Sequence, residues 1–293
     1  MKTPGTLVLA VALFLTGCSP EEPEPEPAAT VEVAGEWGQR PSITVPENLE
    51  VTESLTSTLM TGDGPAVEEG APLLLHYRAV NAVTSEVAAD TYETLPEIRS
   101  LTEEDLGEPL FDLLDGATEG SRLMRVELGT AERPDPHVLV VDVLPTTATG
   151  VPRDPVAGMP TVTVEEEGPA VSVQDAVEPA EVTTSVLLKG EGTQVASDAT
   201  VIVGLRAIGW SDGEVLDDTW GQPPREVALT ELPPGLSAGL VEQTVGSRVL
   251  VVTPPAEGFD ETVVYVVDIL AASGVVLPSA TPSAETTEAE EAG

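Results

Sequence analysis

The sequence predicts an α+β protein made of two tandem copies of one unit, each a twisted antiparallel sheet wrapped on one short helix. Three observations predict it. The stretch GATEGSRLMRV at residues 116–126 returns in altered form as EQTVGSRVLVV at residues 242–252. Apolar runs rich in β-branched residues recur in both halves, separated by turn-forming glycines. One stretch in each half has its leucines at helical spacing.

The repeat is seen at a nearly constant offset along the chain. The Gly-x-Gly of residues 62–64 matches that of residues 190–192 at an offset of 128. The Gly-Ser-Arg of residues 120–122 matches that of residues 246–248 at an offset of 126, and Asp142 matches Asp268 at the same offset. The chain is therefore a tandem duplication, with a net difference of two residues inside the unit.

The N-terminus has the pattern of an export signal. Lys2 precedes an apolar run that ends in Leu-Thr-Gly-Cys at Cys18, and the run is too short for an ordinary spanning helix. This ending resembles the lipobox of bacterial lipoproteins, which implies cleavage before Cys18 and a lipid anchor on its thiol. Cys18 is the only cysteine, so no disulfide is expected.

Composition divides the rest of the chain. Alternating Glu and Pro after Cys18 favour an extended spacer, and Pro-rich and acidic stretches recur in the middle and at the end. The predicted organisation is a signal peptide at 1–17, a linker at 18–41, a first domain at 42–145, a linker at 146–171, a second domain at 172–275 and an acidic disordered tail at 276–293.

Within each copy the local pattern predicts the elements. Strands are predicted at residues 72–80, 121–129 and 137–144, and at residues 200–208, 247–255 and 262–270. A short helix is predicted within residues 106–120, where Leu110, Leu113 and Leu114 share one face. Its counterpart lies within residues 232–246 and carries Leu236 and Leu240.

Charge limits the possible partners. The 51 acidic residues against 12 basic ones give a net charge of −39, so nucleic acid and anionic lipid surfaces are disfavoured. His76 and His137 are the only histidines, and no His or Cys pair has metal-ligand spacing. No cofactor or metal is therefore expected. Charge alone also leaves open an acidic cell-wall spacer or cation buffer.

The order of motifs is specific. A Gly-x-Gly turn and a strand lead to Asp-Gly-Glu-Val, then Pro-Gly before the short helix, Gly-Ser-Arg, and a last strand with Val-Val-Asp-Ile-Leu. This order resembles the FKBP-type peptidyl-prolyl cis-trans isomerase domain, and it looks most like the versions on actinobacterial surface lipoproteins. The second copy matches over essentially the whole domain, and the first is similar mainly through its partner. The resemblance implies two tandem FKBP-like domains.

The resemblance also implies a chemistry and a site. Rotation about a peptide bond faces a barrier of ~18–20 kcal/mol, and an apolar pocket that holds a twisted prolyl amide lowers it by shape and desolvation. The family lines that pocket with aromatic side chains and an aspartate. The corresponding positions of the second copy are Leu205, Leu216, Asp217, Leu236, Phe259 and Tyr265.

Both copies depart from the family pattern. Three of the six positions in the second copy are leucines in place of aromatic walls. The first copy keeps Tyr77 at the strand position but has residues 88–89 as Ala-Ala, with Leu110 as floor and Leu139 on the last strand. The loop that follows the Gly-Ser-Arg strand looks shorter than the family's flap in both copies, which puts covering of a substrate in doubt.

Several residues allow two interpretations. Leu236 is either the floor of a shallow prolyl pocket or ordinary core, and Asp217 either holds a pocket wall or is a plain surface carboxylate. Trp210 and Trp220 either edge a binding surface or pack on the sheet. For Arg122 and Arg248, a role in the fold is favoured over one in catalysis.

The expected function follows from the resemblance. It is a weak peptidyl-prolyl isomerase or folding helper that acts through the second copy on proline-containing exported polypeptides. The lipid on Cys18 would hold it at the outer face of the cell membrane. The alternative is a non-catalytic lipoprotein whose FKBP-like folds serve as binding or spacer modules.

Overall fold

The computed structural model describes residues 30–47, 49–131, 133–165, 168–255 and 259–273. The predicted signal peptide, Cys18, the first half of the linker at 18–41 and the acidic tail lie outside the described residues. Among the residues described, no helix has the length and apolarity needed to cross a membrane.

The first half of the chain forms a hairpin and a six-stranded sheet. The hairpin pairs β1 (Glu32–Ala34) with β2 (Ser42–Thr44). The sheet contains β3 (Leu55–Met60), β4 (Pro72–Asn81), β5 (Val87–Asp90), β6 (Glu97–Ser100), β7 (Arg122–Glu127) and β8 (His137–Leu144). Its strand order is β3-β7-β8-β4-β5, with β6 also paired to β4, and every pairing is antiparallel.

The second half repeats this plan with one added strand. β9 (Val151–Pro152) precedes a hairpin of β10 (Thr161–Glu165) and β11 (Gly168–Ser172). The seven-stranded sheet adds β12 (Thr183–Lys189), β13 (Thr200–Gly209), β14 (Val215–Asp218), β15 (Arg225–Ala228), β16 (Arg248–Thr253) and β17 (Val263–Ala272). Its order is β14-β13-β17-β16-β12-β9, with β15 also paired to β13.

Short helices complete each copy. The first copy has α1 (Glu103–Leu106) and α2 (Glu108–Leu114), and the second has α3 (Pro234–Leu240) after a 3-10 turn at Leu229–Glu231. Leu113 and Leu114 of α2, and Leu236 and Leu240 of α3, are buried against the sheets. The predicted helices are confirmed at these places, and α1 is an extra turn capped by the Thr102 side chain.

The predicted strands are confirmed in both copies, and the two copies share their register. β3 pairs with β7 and β12 pairs with β16 with the same partners at offsets of 128 and 126, including a bulge at Thr58/Met60 and at Val186/Leu188. Mostly antiparallel sheets, each with a short helix packed against it, are consistent with the FKBP-like fold that the sequence predicts.

The hairpins extend the repeat beyond the boundaries drawn from composition. Both lie largely in stretches that the sequence assigned to linkers, at 18–41 and 146–171. In the second copy Met159, Val162 and Val171 pack beside the buried Leu250 and Val264 of the sheet. In the first copy Val31 and Ile43 pack beside the buried Val126 and Val138. The sequence analysis missed these short strands, although their alternate residues are apolar, because proline and acidic residues dominate the stretches around them.

Candidate functional site

In each copy the Gly-Ser-Arg motif contacts the Gly-x-Gly motif and is hydrogen-bonded to it, and this contact is called the joint. Ser121 Oγ accepts a hydrogen bond from the Gly62 amide at 3.0 Å, and Ser247 Oγ accepts one from Gly190 at 2.9 Å. A Cβ on Gly62 would lie 2.0 Å from the Glu119 carbonyl oxygen, so only glycine fits this approach. Gly120 has a φ of +89°, which also favours glycine.

The arginine of each motif forms a buried ion pair. Arg122 donates to both carboxylate oxygens of Asp142 at 2.6 and 2.7 Å, and Arg248 does the same to Asp268. Both aspartates are fully buried. Arg122 also donates to the carbonyl oxygens of Gly35 and Gln39, so it holds the turn of the first hairpin. This geometry supports the fold role favoured for these arginines.

Three of the six predicted pocket positions meet in the core of the second copy. Leu205 on β13, Leu236 on α3 and Tyr265 on β17 are each at most 3% exposed and belong to one apolar cluster. Burial raises the pKa of the Tyr265 hydroxyl to about 12. These three predicted positions are therefore packed as core.

The other three positions lie outside that cluster. Leu216 and Phe259 are exposed, at 38% and 45%. Asp217 lies on β14 and accepts two hydrogen bonds from Arg225 of β15, at 2.6 and 2.9 Å. The hydrogen bonds from Arg225 hold the pKa of Asp217 below its ordinary value. Asp217 and Arg225 therefore form a partly exposed ion pair that joins β14 to β15.

A cavity is present at the corresponding place in the first copy. It has a volume of about 150 Å³, and its lining is Leu75, Tyr77, Glu97, Arg99, Asp105, Leu106, Leu110, Leu139 and Val141. Leu110, Leu139 and Tyr77 match Leu236, Tyr265 and Leu205 of the second copy. The sequence placed the candidate pocket in the second copy, whereas this cavity lies in the first. The two copies exchange tyrosine and leucine at two of these positions: Tyr77 and Leu139 line the cavity, whereas Leu205 and Tyr265 are packed in the core.

The rim of this cavity carries a chain of polar groups. Tyr77 Oη donates to Glu97 Oε1 at 2.5 Å, and burial together with Glu97 raises the pKa of Tyr77 to about 12. Arg99 bridges Glu97 at 2.8 Å and Asp105 at 3.1 Å. Sequence reasoning predicted no strand here and missed this network, although Glu97 and Arg99 stand two residues apart with opposite charges, which places them on one face of a strand.

The remaining candidates have structural partners. Trp210 and Trp220 are both packed against the apolar cluster beneath the second hairpin, and Arg248 lies 5.5 Å from the centre of the Trp220 ring. His76 stacks on Tyr92 with ring centres 4.8 Å apart, and burial lowers the pKa of His76. Within the described ranges, no group of three or more His, Cys, Asp or Glu side chains is placed to hold a metal ion.

Known proteins resemble this chain only at the level of structure. No protein-family model matches it, and no curated protein matches it. The three FKBP domains of wheat FKBP73 align at 15% identity and a TM-score of 0.30, over 75% of this chain and 94% of that chain. The N-terminal domain of FKBP42 from Arabidopsis thaliana aligns at 19% and 0.31, over 43% of this chain and 99% of that chain.

A bacterial structure gives a similar result. The putative peptidyl-prolyl cis-trans isomerase FKBP12 from Mycobacterium tuberculosis aligns at 22% identity and a TM-score of 0.27, over 32% of this chain and 86% of that chain. All three are FKBP proteins. At these TM-scores the likeness carries no conclusion about the activity of this chain.

Proposed function

We propose that this protein is a membrane-anchored, extracytoplasmic folding helper of the FKBP type that binds proline-containing segments in the cavity of its first copy. The cavity beneath α2 is the observation that carries the proposal. Apolar side chains form its floor, and a volume of about 150 Å³ suits a single small side chain such as a prolyl ring.

The chemistry available in the cavity is desolvation. Leu75, Leu110, Leu139 and Val141 offer no hydrogen bonds, so an amide held there loses the water that reinforces its resonance. The Tyr77 hydroxyl already donates a hydrogen bond to Glu97 at the rim of the cavity, so it does not donate to an amide held inside. We therefore expect binding of prolyl segments with modest acceleration of isomerisation.

The second copy is the other candidate for isomerisation, as the sequence predicted. One observation favours it: Arg225 holds Asp217 in place, and Leu216, the neighbour of Asp217 in sequence, is an exposed apolar side chain, as is the pocket position Phe259. The closed packing of Leu205, Leu236 and Tyr265 opposes it.

A matched pair of variants separates the two copies. Leu110→Trp fills the cavity of the first copy at little cost in stability, whereas Leu236→Trp overpacks a closed core and lowers the free energy of unfolding by ~1–3 kcal/mol. The measurement is NMR exchange between the cis and trans forms of a peptide with an apolar residue before proline, with the full chain added.

The outcomes are distinct. A further variant, Phe259→Ala, removes an exposed pocket position of the second copy. Loss of peptide binding and acceleration in Leu110→Trp, with both retained in Phe259→Ala, supports the first copy. The reverse pattern assigns the activity to the second copy. Binding without acceleration in the unaltered chain makes the protein a non-catalytic binding module. Absence of binding contradicts the proposal.

The anchor is a separate part of this proposal and rests on residues 1–18. We expect the chain to incorporate labelled palmitate in a bacterial host and to fractionate with membranes. Cys18→Ser removes the thiol that would carry the lipid, so label and membrane association should both be lost. Retention of label in that variant would rule out Cys18 as the attachment site.

A further inference from the structure

Among the residues that the structure describes, the edge strand of the first sheet has no neighbour on its outer side. β3 (Leu55–Met60) is terminal in the sheet, and each of its six residues is exposed. The strand carries no charge and no proline, and Leu55, Leu59 and Met60 are 54%, 41% and 44% exposed. Natural edge strands are usually shortened, charged or covered, because free N–H and C=O groups pair readily with another chain.

In the second copy, the equivalent edge strand β12 has a neighbour on its outer side. β12 (Thr183–Lys189) has the same register toward its inner neighbour as β3, and β9 (Val151–Pro152) pairs antiparallel with its outer edge at Leu188 and Lys189. Just beyond, the Arg153 amide donates to the Leu187 carbonyl oxygen at 2.9 Å and the Val156 amide to Ser185 Oγ at 2.9 Å. The segment 151–156 is thus an added strand supplied by the chain itself.

The corresponding segment of the first copy differs in sequence and lacks one of these two donors. At the repeat offset of 128, residues 23–28 with the sequence PEPEPA correspond to residues 151–156 with the sequence VPRDPV. Proline stands at position 25, where Arg153 donates its amide in the second copy, and proline has no N–H. Residues 23–28 also carry two glutamates and no basic residue, whereas residues 151–156 carry one Arg and one Asp, in a protein of net charge −39.

We propose that β3 is a docking edge for an extended segment of a partner polypeptide, which pairs antiparallel with it as 151–156 does on β12. The partner segment carries free N–H groups, apolar side chains at alternating positions and a neutral or positive charge, since further negative charge is repelled. This edge is separate from the cavity beneath α2, so the proposal does not depend on prolyl binding.

The test uses a peptide whose contacts are already known from the second copy. The probe is TGVPRDPVAG, residues 149–158, added to the full chain with Cys18→Ser, and methyl NMR follows Leu55, Leu59 and Met60. We expect saturable shifts at these methyls. N-methylation of the peptide arginine removes the donor used in the second copy and should abolish the shifts. A peptide of residues 21–30, EEPEPEPAAT, should leave them unchanged.

Two protein variants complete the test. Leu59→Lys places a charge on the exposed edge and should weaken binding by about tenfold or more. Val87→Lys makes the same change at an exposed valine on β5, at the opposite end of the sheet order, and should leave binding unchanged.

Three results would overturn the proposal. The first is no methyl shift on β3 up to the solubility limit of the probe, with the fold intact. The second is equal binding of the 21–30 peptide, which would assign the edge to the chain's own N-terminal segment. The third is a concentration-dependent dimer in sedimentation that Leu59→Lys abolishes, which would assign the edge to a second copy of the protein.

Discussion

At the scale of single residues, the two buried Arg-Asp pairs explain why the chain repeats Gly-Ser-Arg. A buried carboxylate is costly unless it is paired and fully hydrogen-bonded. Asp268 meets this condition with two hydrogen bonds from Arg248 and one from the Ala148 amide at 2.8 Å. Asp142 meets it with Arg122 and the Gly38 amide. The pairs hold segments that precede each sheet.

We therefore expect Asp268→Asn to lower the free energy of unfolding by about 3–5 kcal/mol, because it leaves Arg248 buried without a counter-charge. Urea unfolding measures the change, with the exposed Asp198→Asn as control. The double variant Arg248→Met with Asp268→Leu should regain most of the loss. A single variant as stable as the unaltered protein would show that Arg248 reaches water.

Asp217 gives a pH prediction. Its pKa is lowered in the folded state by Arg225, so the pair contributes stability above the ordinary carboxyl range near ~3.9. That contribution is lost as the pH falls through the lowered pKa. Both side chains are about 40% exposed, so the contribution is only ~0.2–1 kcal/mol.

Carboxyl NMR titration tests the cause of this shift. Arg225→Gln should raise the pKa of Asp217 toward its ordinary value and flatten the loss of stability below about pH 4. A pKa that stays low without Arg225 would place the cause elsewhere.

At the scale of elements, the two helices end differently. α2 is followed by Gly116 with a φ of +72°, where glycine is unstrained. α3 is followed at the same repeat position by Glu242 with a φ of +66°, a left-handed conformation that costs a non-glycine residue about 1–2 kcal/mol. The second helix thus lacks the glycine that follows the end of the first helix.

Glu242→Gly should raise the free energy of unfolding by about 0.5–1 kcal/mol, since the relief of strain exceeds the added chain entropy of ~0.4–1 kcal/mol. The converse change, Gly116→Ala, should lower it by about 1 kcal/mol through strain alone, because a Cβ there has open space. Thermal unfolding measures both. Destabilisation by Glu242→Gly would mean that the Glu242 side chain makes a contact of its own.

At the scale of the whole molecule, each copy includes its preceding hairpin. The second hairpin packs Gly168 so closely on Trp220 that an added Cβ would lie 2.6 Å from the ring. Arg206 of the sheet donates to the carbonyl oxygen of Pro169, and Arg78 to that of Pro41 in the first copy. We therefore expect the folding unit of the second half to begin near residue 147, ahead of the boundary at 172 drawn from composition.

A fragment of residues 147–275 should accordingly be more stable than one of residues 172–275. The hydrogen bonds that the longer fragment adds include five made by the amides of Ala148, Gly150, Arg153 and Val156 and by the carbonyl of Pro169. At ~0.5–1.5 kcal/mol each, these five contribute roughly 3–8 kcal/mol. Urea unfolding of both fragments checks this, and a fragment starting at 160 should fall between them. Equal stabilities would restore the boundary drawn from composition.

Much of the fold could be predicted from the sequence because its signals are local or repeated. Alternating and β-branched runs located the main strands, and leucine spacing located α2 and α3. The Arg122–Asp142 pair was within reach too, since the same spacing of 20 recurs as Arg248–Asp268. The two hairpins were missed because proline and glutamate dominate their surroundings.

The candidate site shows the limit of that reasoning. Matching positions named Leu236 and Leu110 as equivalent floors, and nothing local distinguishes two leucines on short helices. Their surroundings differ in what the other strands supply, Leu205 and Tyr265 in one copy and Tyr77 and Leu139 in the other, from positions far apart in sequence.

The sequence by itself determined the duplication, the strand and helix types and the glycines of the joint, because these depend on periodicity and on backbone freedom. Only the tertiary structure decided which copy keeps a cavity and which edge strand stays open. Both depend on volumes and on partners brought together over long separations: Tyr265 belongs to a closed core where Leu139 lines a cavity, and residues 151–156 cover β12 while β3 is exposed.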